Sequence, residues 1–352
     1  MTGFTKFKTM DFPRSVLIGH DALGKVADMC HSLRFGTRGV AVTGKDTYRA
    51  AGKEVEDLMH KDFHLSTVLT GSATMSNVDE ICAIAEEQRA TFILAIGGGS
   101  KIDISKMVAS RMDIPFVSIP TSISHDGIAS DRASLKADTG SQSMSAVSPI
   151  GIIADTGIIA AAPFKFLSAG CADVISNLTA LKDWEFAAMM RDEELSSSAS
   201  MIARYAAENI IENSNKIRPG YEESVWLVMR PIVASGVSMC IAGNSRPTSG
   251  SEHMFSHALD IIRPNTALHG EQCGIGSIMM MHLHRGDWRR IRDALKAVGA
   301  PVTAAELGFS DDEIVDALVM SKDIRKERFT ILGENGLTEE AARKLAYETN
   351  VI

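Results

Sequence analysis

The sequence is short of cysteine, aromatic side chains and positive charge. Its five cysteines (Cys30, Cys82, Cys171, Cys240, Cys273) are scattered and never spaced as CxxC. That argues against a disulfide framework or a thiolate zinc site and suits a reducing, cytoplasmic compartment. Lys and Arg number 36 against 44 Asp and Glu, for a net charge of −8. Such a balance argues against a general nucleic-acid binder, which needs basic patches to neutralise phosphates. A small anionic substrate, needing only local positive charge, is not excluded. The opening MTGFTKFKTMDFPRS has no apolar core, so no signal peptide is expected. The longest apolar stretch, 150–164, is broken by Asp155, two glycines and Pro163, and is too short and polar for a membrane span. Aromatics make up only 6% of a chain that is 45% hydrophobic and 23% charged, so aliphatics and 18 methionines must fill the core. At roughly 150 residues per domain, 352 residues suggest two domains.

What is present alternates two periods over the first ~160 residues. SVLIG (15–19), GVAVTG (39–44), HLSTVLTG (64–71), TFILAIGGGS (91–100), IPFVSIP (114–120) and the run at 150–154 read as strands. Helical patterns at 21–33, 48–61, 77–89 and 100–110 separate them. Short apolar runs alternating with helices of a dozen residues predict βαβ units and a parallel sheet. Residues 121–149 are rich in Ser, Thr, Asp and Gly with little periodicity, and read as a long functional loop. From Pro163 onward the patterns are helical. The expected organisation is an α/β, Rossmann-like parallel-sheet domain over 1–160 and an all-α domain over 161–352.

Two constellations carry chemistry. Gly97, Gly98 and Gly99 end a strand and open a helix, whose free N–H groups and positive dipole end suit a pyrophosphate. The spacing is neither G-x-G-x-x-G nor a Walker A motif, and a plain tight turn is the bland alternative. A second Ser/Thr-rich turn, IPTSISHDG (119–127), follows the next strand, so both turns can form one crevice at the carboxyl ends of a parallel sheet. The other constellation is imidazole-based. His253 and His257, at i and i+4, share one helix face, and His269 follows a short loop containing Pro264. Asp173 lies inside an otherwise apolar helical stretch. Two imidazoles and a carboxylate leave an open position on a catalytic Zn2+ or Fe2+. Solvated or core-satisfied histidines are the alternative, because spacing alone does not bring Asp173 to them.

Five motifs in order carry a resemblance: GGGSKID (97–103), PTSISHDGIAS (120–130), GCADVISNLTALKDW (170–184), SGSEHMFSHALD (249–260) and LHGEQCGIG (268–276). Together they resemble the archaeal glycerol-1-phosphate dehydrogenases. Those belong to the superfamily of glycerol dehydrogenase, iron-dependent alcohol dehydrogenase and dehydroquinate synthase. GGGS alone is common to the superfamily, whereas SHDG, SNLTALKDW and SGSEH…SHALD are specific to this branch. The resemblance implies NAD(P)H-dependent reduction of dihydroxyacetone phosphate to sn-glycerol 1-phosphate, the backbone of ether lipids. It assigns Gly98, Gly99, Ser100, Lys101, Ile102 and Asp103 to the pyrophosphate of NAD(H) or NADP(H), and Thr121, Ser122, Ile123, Ser124 and Ser130 to the nicotinamide end. Asp173, His253 and His269 would bind one Zn2+ per subunit, and Asp126, Asp173 and His257 would meet the substrate. The iron-dependent alcohol dehydrogenases carry Asp-x3-His, but here Asn177 stands four residues after Asp173. That departure favours zinc.

Several points stay open at this level. Arg132, Lys165 and Arg246 are the nearby cations for a phosphate, each equally readable as a surface residue. Lys45 and Asp46 follow the second strand, and the pair suits use of both NAD and NADP. A polyol dehydrogenase of the same superfamily, a lyase of the dehydroquinate synthase type and a nucleotide-sensing protein are the rival readings. Absence of a Glu at 173 argues against the lyase. A homo-oligomer is expected, with neither nucleic acid nor membrane as partner.

Overall fold

The structure is a computed structural model that describes residues 7–137 and 140–352. Met1–Lys6, the start of the segment read for a leader, lie outside it. Six strands form one parallel sheet in the order β1-β8-β5-β4-β2-β3. They are β1 (Ser15–Gly19), β2 (Arg38–Thr43), β3 (His64–Leu69), β4 (Phe92–Gly97), β5 (Phe116–Pro120) and β8 (Gly151–Asp155). The apolar run of β4 is continuous because both its faces are covered. Ile93 and Ala95 join one core, while Phe92, Leu94 and Ile96 join the other with Leu23, Val26 and Met59. Among the described residues every element after β8 is helical.

The segment 121–149, expected as a long functional loop with little periodicity, is more regular than that. It holds a short 3-10 turn, Asp126–Ala129, and an antiparallel hairpin of β6 (Arg132–Ala137) and β7 (Gly140–Ser145). Ala133 and Leu135 are buried while Ser134 and Lys136 are exposed. The period of two was therefore present, masked by small and polar residues that carry little strand propensity.

The helix Glu222–Ala242 is long and apolar enough by length and composition to cross a membrane. Here it is a core helix: Val225, Val228, Met229, Ile232 and Met239 are buried, and it packs on the helix Ser197–Asn213. The Cys30, Cys171, Cys240 and Cys273 thiols are free and buried, and burial pushes each of them up.

Candidate active site and metal centre

The sheet order reverses between β2 and β4, which pair with each other while the chain runs outward on both sides. In open α/β sheets such a switch point opens a crevice at the carboxyl ends of the strands. Here Asp46, Thr47 and Ala50 after β2, Gly98–Lys101 after β4, and Thr121, Ser122 and Ser124 after β5 line one cleft of about 1230 Å3. Its far wall comes from the helical half, through Pro163, Phe166, Leu268 and His269. The helix Gly99–Met112 begins in this cleft with no side-chain cap on its first turn, so its backbone donors face the opening. Burial lowers the Lys101 ammonium, which donates to the Gly71 carbonyl and closes the next turn of the wall.

Glycine at 99 is required by a close approach. A Cβ there would lie 2.0 Å from His125 Nε2. His125 Nδ1 accepts the Gly127 N–H at 3.0 Å, which sets its ring against the start of the helix.

The predicted cofactor residues divide. Gly98, Gly99, Ser100, Lys101, Thr121, Ser122 and Ser124 line the cleft. Ile102 and Ile123 are wholly buried, so their side chains belong to the core. Asp103 and Ser130 line a smaller adjoining cavity and both meet Lys106. The fully buried Lys106 ammonium donates to Asp103 Oδ1 (3.5 Å), Ser130 Oγ (3.3 Å), the Arg132 carbonyl (2.5 Å) and the Gly127 carbonyl. It thereby ties the helix Gly99–Met112 to the turn that carries Asp126.

The smaller cavity holds the metal candidates. Asp173 projects from the middle of the long helix Phe164–Arg191, His253 from Ser251–Ile262, and His269 opens His269–Leu283. Asp183, farther along the long helix, accepts both the N–H and the hydroxyl of Ser251 at 2.6 Å, so one helix fixes the start of the next. Glycine at 270 allows the third helix in. A Cβ there would stand 2.0 Å from the Ala169 carbonyl oxygen and 3.1 Å from Asp173 Cβ.

The result is a converging donor set. His253 Nε2 and His269 Nε2 each lie 3.8 Å from Asp173 Oδ1. That oxygen is buried and has no hydrogen-bond partner among the described residues, an arrangement that calls for a cation. Ligand atoms on a tetrahedral zinc with bonds of about 2.0 Å stand roughly 3.3 Å apart, so a small contraction would close this set on an ion.

The other faces of both rings are already engaged. His253 Nδ1 donates to Glu252 Oε1 at 2.9 Å. Gln272 Nε2 donates to Asp260 Oδ1 (3.1 Å), and its Oε1 accepts the Ser256 hydroxyl (2.6 Å). Ser256 Oγ is then left to accept from His269 Nδ1 at 3.0 Å. With each proton on Nδ1, both Nε2 lone pairs point at Asp173, the arrangement a metal-binding imidazole needs. Burial above all, then His253, pushes the His269 imidazole well down and keeps it neutral. Burial, with Asp126 beside it, raises Asp173 to about 6.

The residues expected at the substrate also meet here. Asp126 lines the cavity, and its N–H donates to Asp173 Oδ2 at 2.9 Å. Its Oδ2 accepts the Ser235 hydroxyl at 2.7 Å, and Ser235 Oγ accepts from Asn177 Nδ2 at 2.8 Å. Asn177, the departure from the Asp-x3-His pair, is thus a prop for Asp126. The His257 Nδ1 is buried without a partner among the described residues, and burial and then Arg325 push this imidazole down to about 3.

Sequence reasoning missed His125, the Ser256–Gln272 relay and Cys273. Cys273 Sγ stands 3.5 Å from His269 Nε2 and within the same donor cluster. Its position, one turn after His269, was the available signal. Of the cations considered for a phosphate, Lys165 is exposed and lies over the Phe166 ring, outside the site cavity. Arg246 is clasped by Glu193 and the Phe329 carbonyl, so only Arg132 lines the cavity.

Comparison with known proteins agrees with this architecture. Residues 17–163 match the family described as iron-containing alcohol dehydrogenase. A glycerol-1-phosphate dehydrogenase [NAD(P)+] of Methanosarcina acetivorans is 52% identical over 98% of this chain and 97% of its own. The chain belongs to the glycerol-1-phosphate dehydrogenase family. A member of that family from Methanothermobacter thermautotrophicus is 47% identical, covering 98% of this chain and 99% of its own. The fold is shared more widely. Glycerol dehydrogenase of Schizosaccharomyces pombe superposes with a TM-score of 0.81 at 17% identity, over 98% of this chain and 91% of that one.

Proposed function

We propose that this protein interconverts dihydroxyacetone phosphate and sn-glycerol 1-phosphate with NAD(P)(H), using one zinc ion held by Asp173, His253 and His269. The observation that carries the reading is a shared wall. Ser100, His125 and His269 line both the cofactor cleft and the cavity of the metal candidates, so a nicotinamide and a metal-bound substrate can meet there. The near-full-length relatives named for this activity support it.

In this reading residues 1–160 hold the cofactor and 161–352 the metal, with substrate between them. A nicotinamide bound in the cleft would supply or take the hydride, and a zinc ion held by Asp173, His253 and His269 would supply Lewis acidity toward the substrate carbonyl. The chain's own groups do the rest. The helix start at Gly99 and the turns at Gly98–Lys101 and Thr121–Ser124 bind the dinucleotide through backbone donors and small hydroxyls. Ser235 holds one oxygen of Asp126, leaving the other to take the substrate hydroxyl and pass its proton. Asp46 lines the cleft at the β2 turn, where an acid suits the ribose hydroxyls of NAD, while the relatives named for NAD(P)+ support use of both cofactors. The unpaired cysteines suit a cytoplasmic enzyme, and the homo-oligomer expected from the sequence is checked by light scattering.

The test is oxidation of the two glycerol phosphate enantiomers with NAD+ and NADP+. Turnover of the 1-phosphate is expected. Activity on the 3-phosphate alone, or on neither, overturns the reading.

A further inference from the structure

The net charge of −8 leaves the attraction of an anionic substrate to local cations. Arg132, His257 and Arg325 lie in the wall between the metal cavity and a second cavity that opens beside it. Arg328 lines that second cavity as well. Three of the neighbouring guanidinium groups are engaged by the protein. Arg132 Nη2 donates to the Gly243 carbonyl at 3.1 Å, and Arg328 donates to the Ser249 carbonyl and to Ser245 Oγ (2.9 Å). Arg246 is held by Glu193.

Arg325 is different. It sits just after the helix Asp311–Ile324, half-buried, and its guanidinium has no hydrogen bond or ion pair among the described residues. It lines the metal cavity together with His257 and His269. Burial and the repulsion of Arg132 work against its charge, and Arg325 in turn depresses Arg328. Like charges gathered at a partly buried wall, with five donors of one fork unused, are costly unless an anion completes them.

We infer that Arg325 is the phosphate-binding and specificity-determining cation of this site, taking the phosphate monoester of the substrate. The inference rests on the glycerol phosphate reading above. The fork geometry suits two oxygens of a phosphate at once, whereas an unphosphorylated polyol would leave the guanidinium unpaired. Arg328, already bonded to the chain, is a structural member of the wall.

The experiment compares wild type with Arg325→Met and Arg325→Lys. Readouts are KM for sn-glycerol 1-phosphate, competition by inorganic phosphate, KM for NAD+ and zinc content. Arg325→Met is expected to raise KM for the glycerol phosphate about 30-fold or more, as loss of one partner of a buried charge pair does. Competition by inorganic phosphate disappears, KM for NAD+ and zinc content hold, and Arg325→Lys recovers part of the loss. Unchanged KM and unchanged phosphate competition in Arg325→Met overturn the inference while leaving the function standing. Where wild type oxidises neither glycerol phosphate, the functional reading fails by itself. Calorimetric binding of inorganic phosphate then decides the anion site: binding lost in Arg325→Met supports it, and equal binding, or none in wild type, overturns it. Should the Met variant not fold, judged by its NAD+ binding, Arg325→Lys carries the same comparison.

Discussion

The two halves of the site are built from different materials. The cofactor cleft is made of backbone: three turns at strand ends, one open helix start, and glycines that let chains approach. The metal cavity is made of buried side chains, each oriented by another. Glu252 holds His253, Ser256 and Gln272 hold His269, and Ser235 and Asn177 hold Asp126. A backbone site owes its binding to many weak donors and loses little with any one side chain. A pre-wired site of buried polar groups fails when one member goes, because its partner is left unsatisfied. The same fold therefore carries a forgiving half and an unforgiving one.

Substitutions can break that contrast. The largest effect is expected at Gly270, where an added Cβ meets the Ala169 backbone at 2.0 Å. Gly270→Ala should destabilise the protein by about 3 kcal/mol or more and abolish metal retention, since the helices that carry Asp173 and His269 must part. Denaturant unfolding and metal analysis check this.

Next is Ser256→Ala, which removes the acceptor of the His269 Nδ1 proton. Zinc affinity should fall about 10- to 100-fold, measured by chelator competition, with the fold unchanged. Smallest is Gly99→Ala in the backbone-built half. The new Cβ displaces the His125 ring, a movable neighbour, so KM for NAD+ should rise about tenfold with zinc content as in wild type. A larger effect of Gly99→Ala on zinc than on NAD+ would erase the distinction between the halves.

The same contrast explains what the sequence made legible. The sheet was readable because its inner strands β2, β4, β5 and β8 are buried on both faces and its helices recur at regular intervals. The hairpin at 132–145 was not, because polar residues such as Ser134 and Lys136 on its open face hide the alternation of Ala133 and Leu135. In the site, His253 and His257 announce themselves by i, i+4 spacing. Asp173 and His269 are 96 residues apart in sequence and meet only through helix packing. Props such as Ser235 and Asn177 are ordinary helix residues until their partners are known. Arg325 lies far beyond the last recognisable motif, and that its guanidinium has no partner among the described residues is a property of the folded chain alone.

A metal ion closing the set of Asp173, His253 and His269 is tested most directly by elemental analysis of the purified protein beside His253→Ala and His269→Ala. One zinc per chain is predicted in wild type, with metal and activity lost together in both variants. Full activity in either variant after chelation, or a wild-type enzyme that is active with no metal bound, would contradict it.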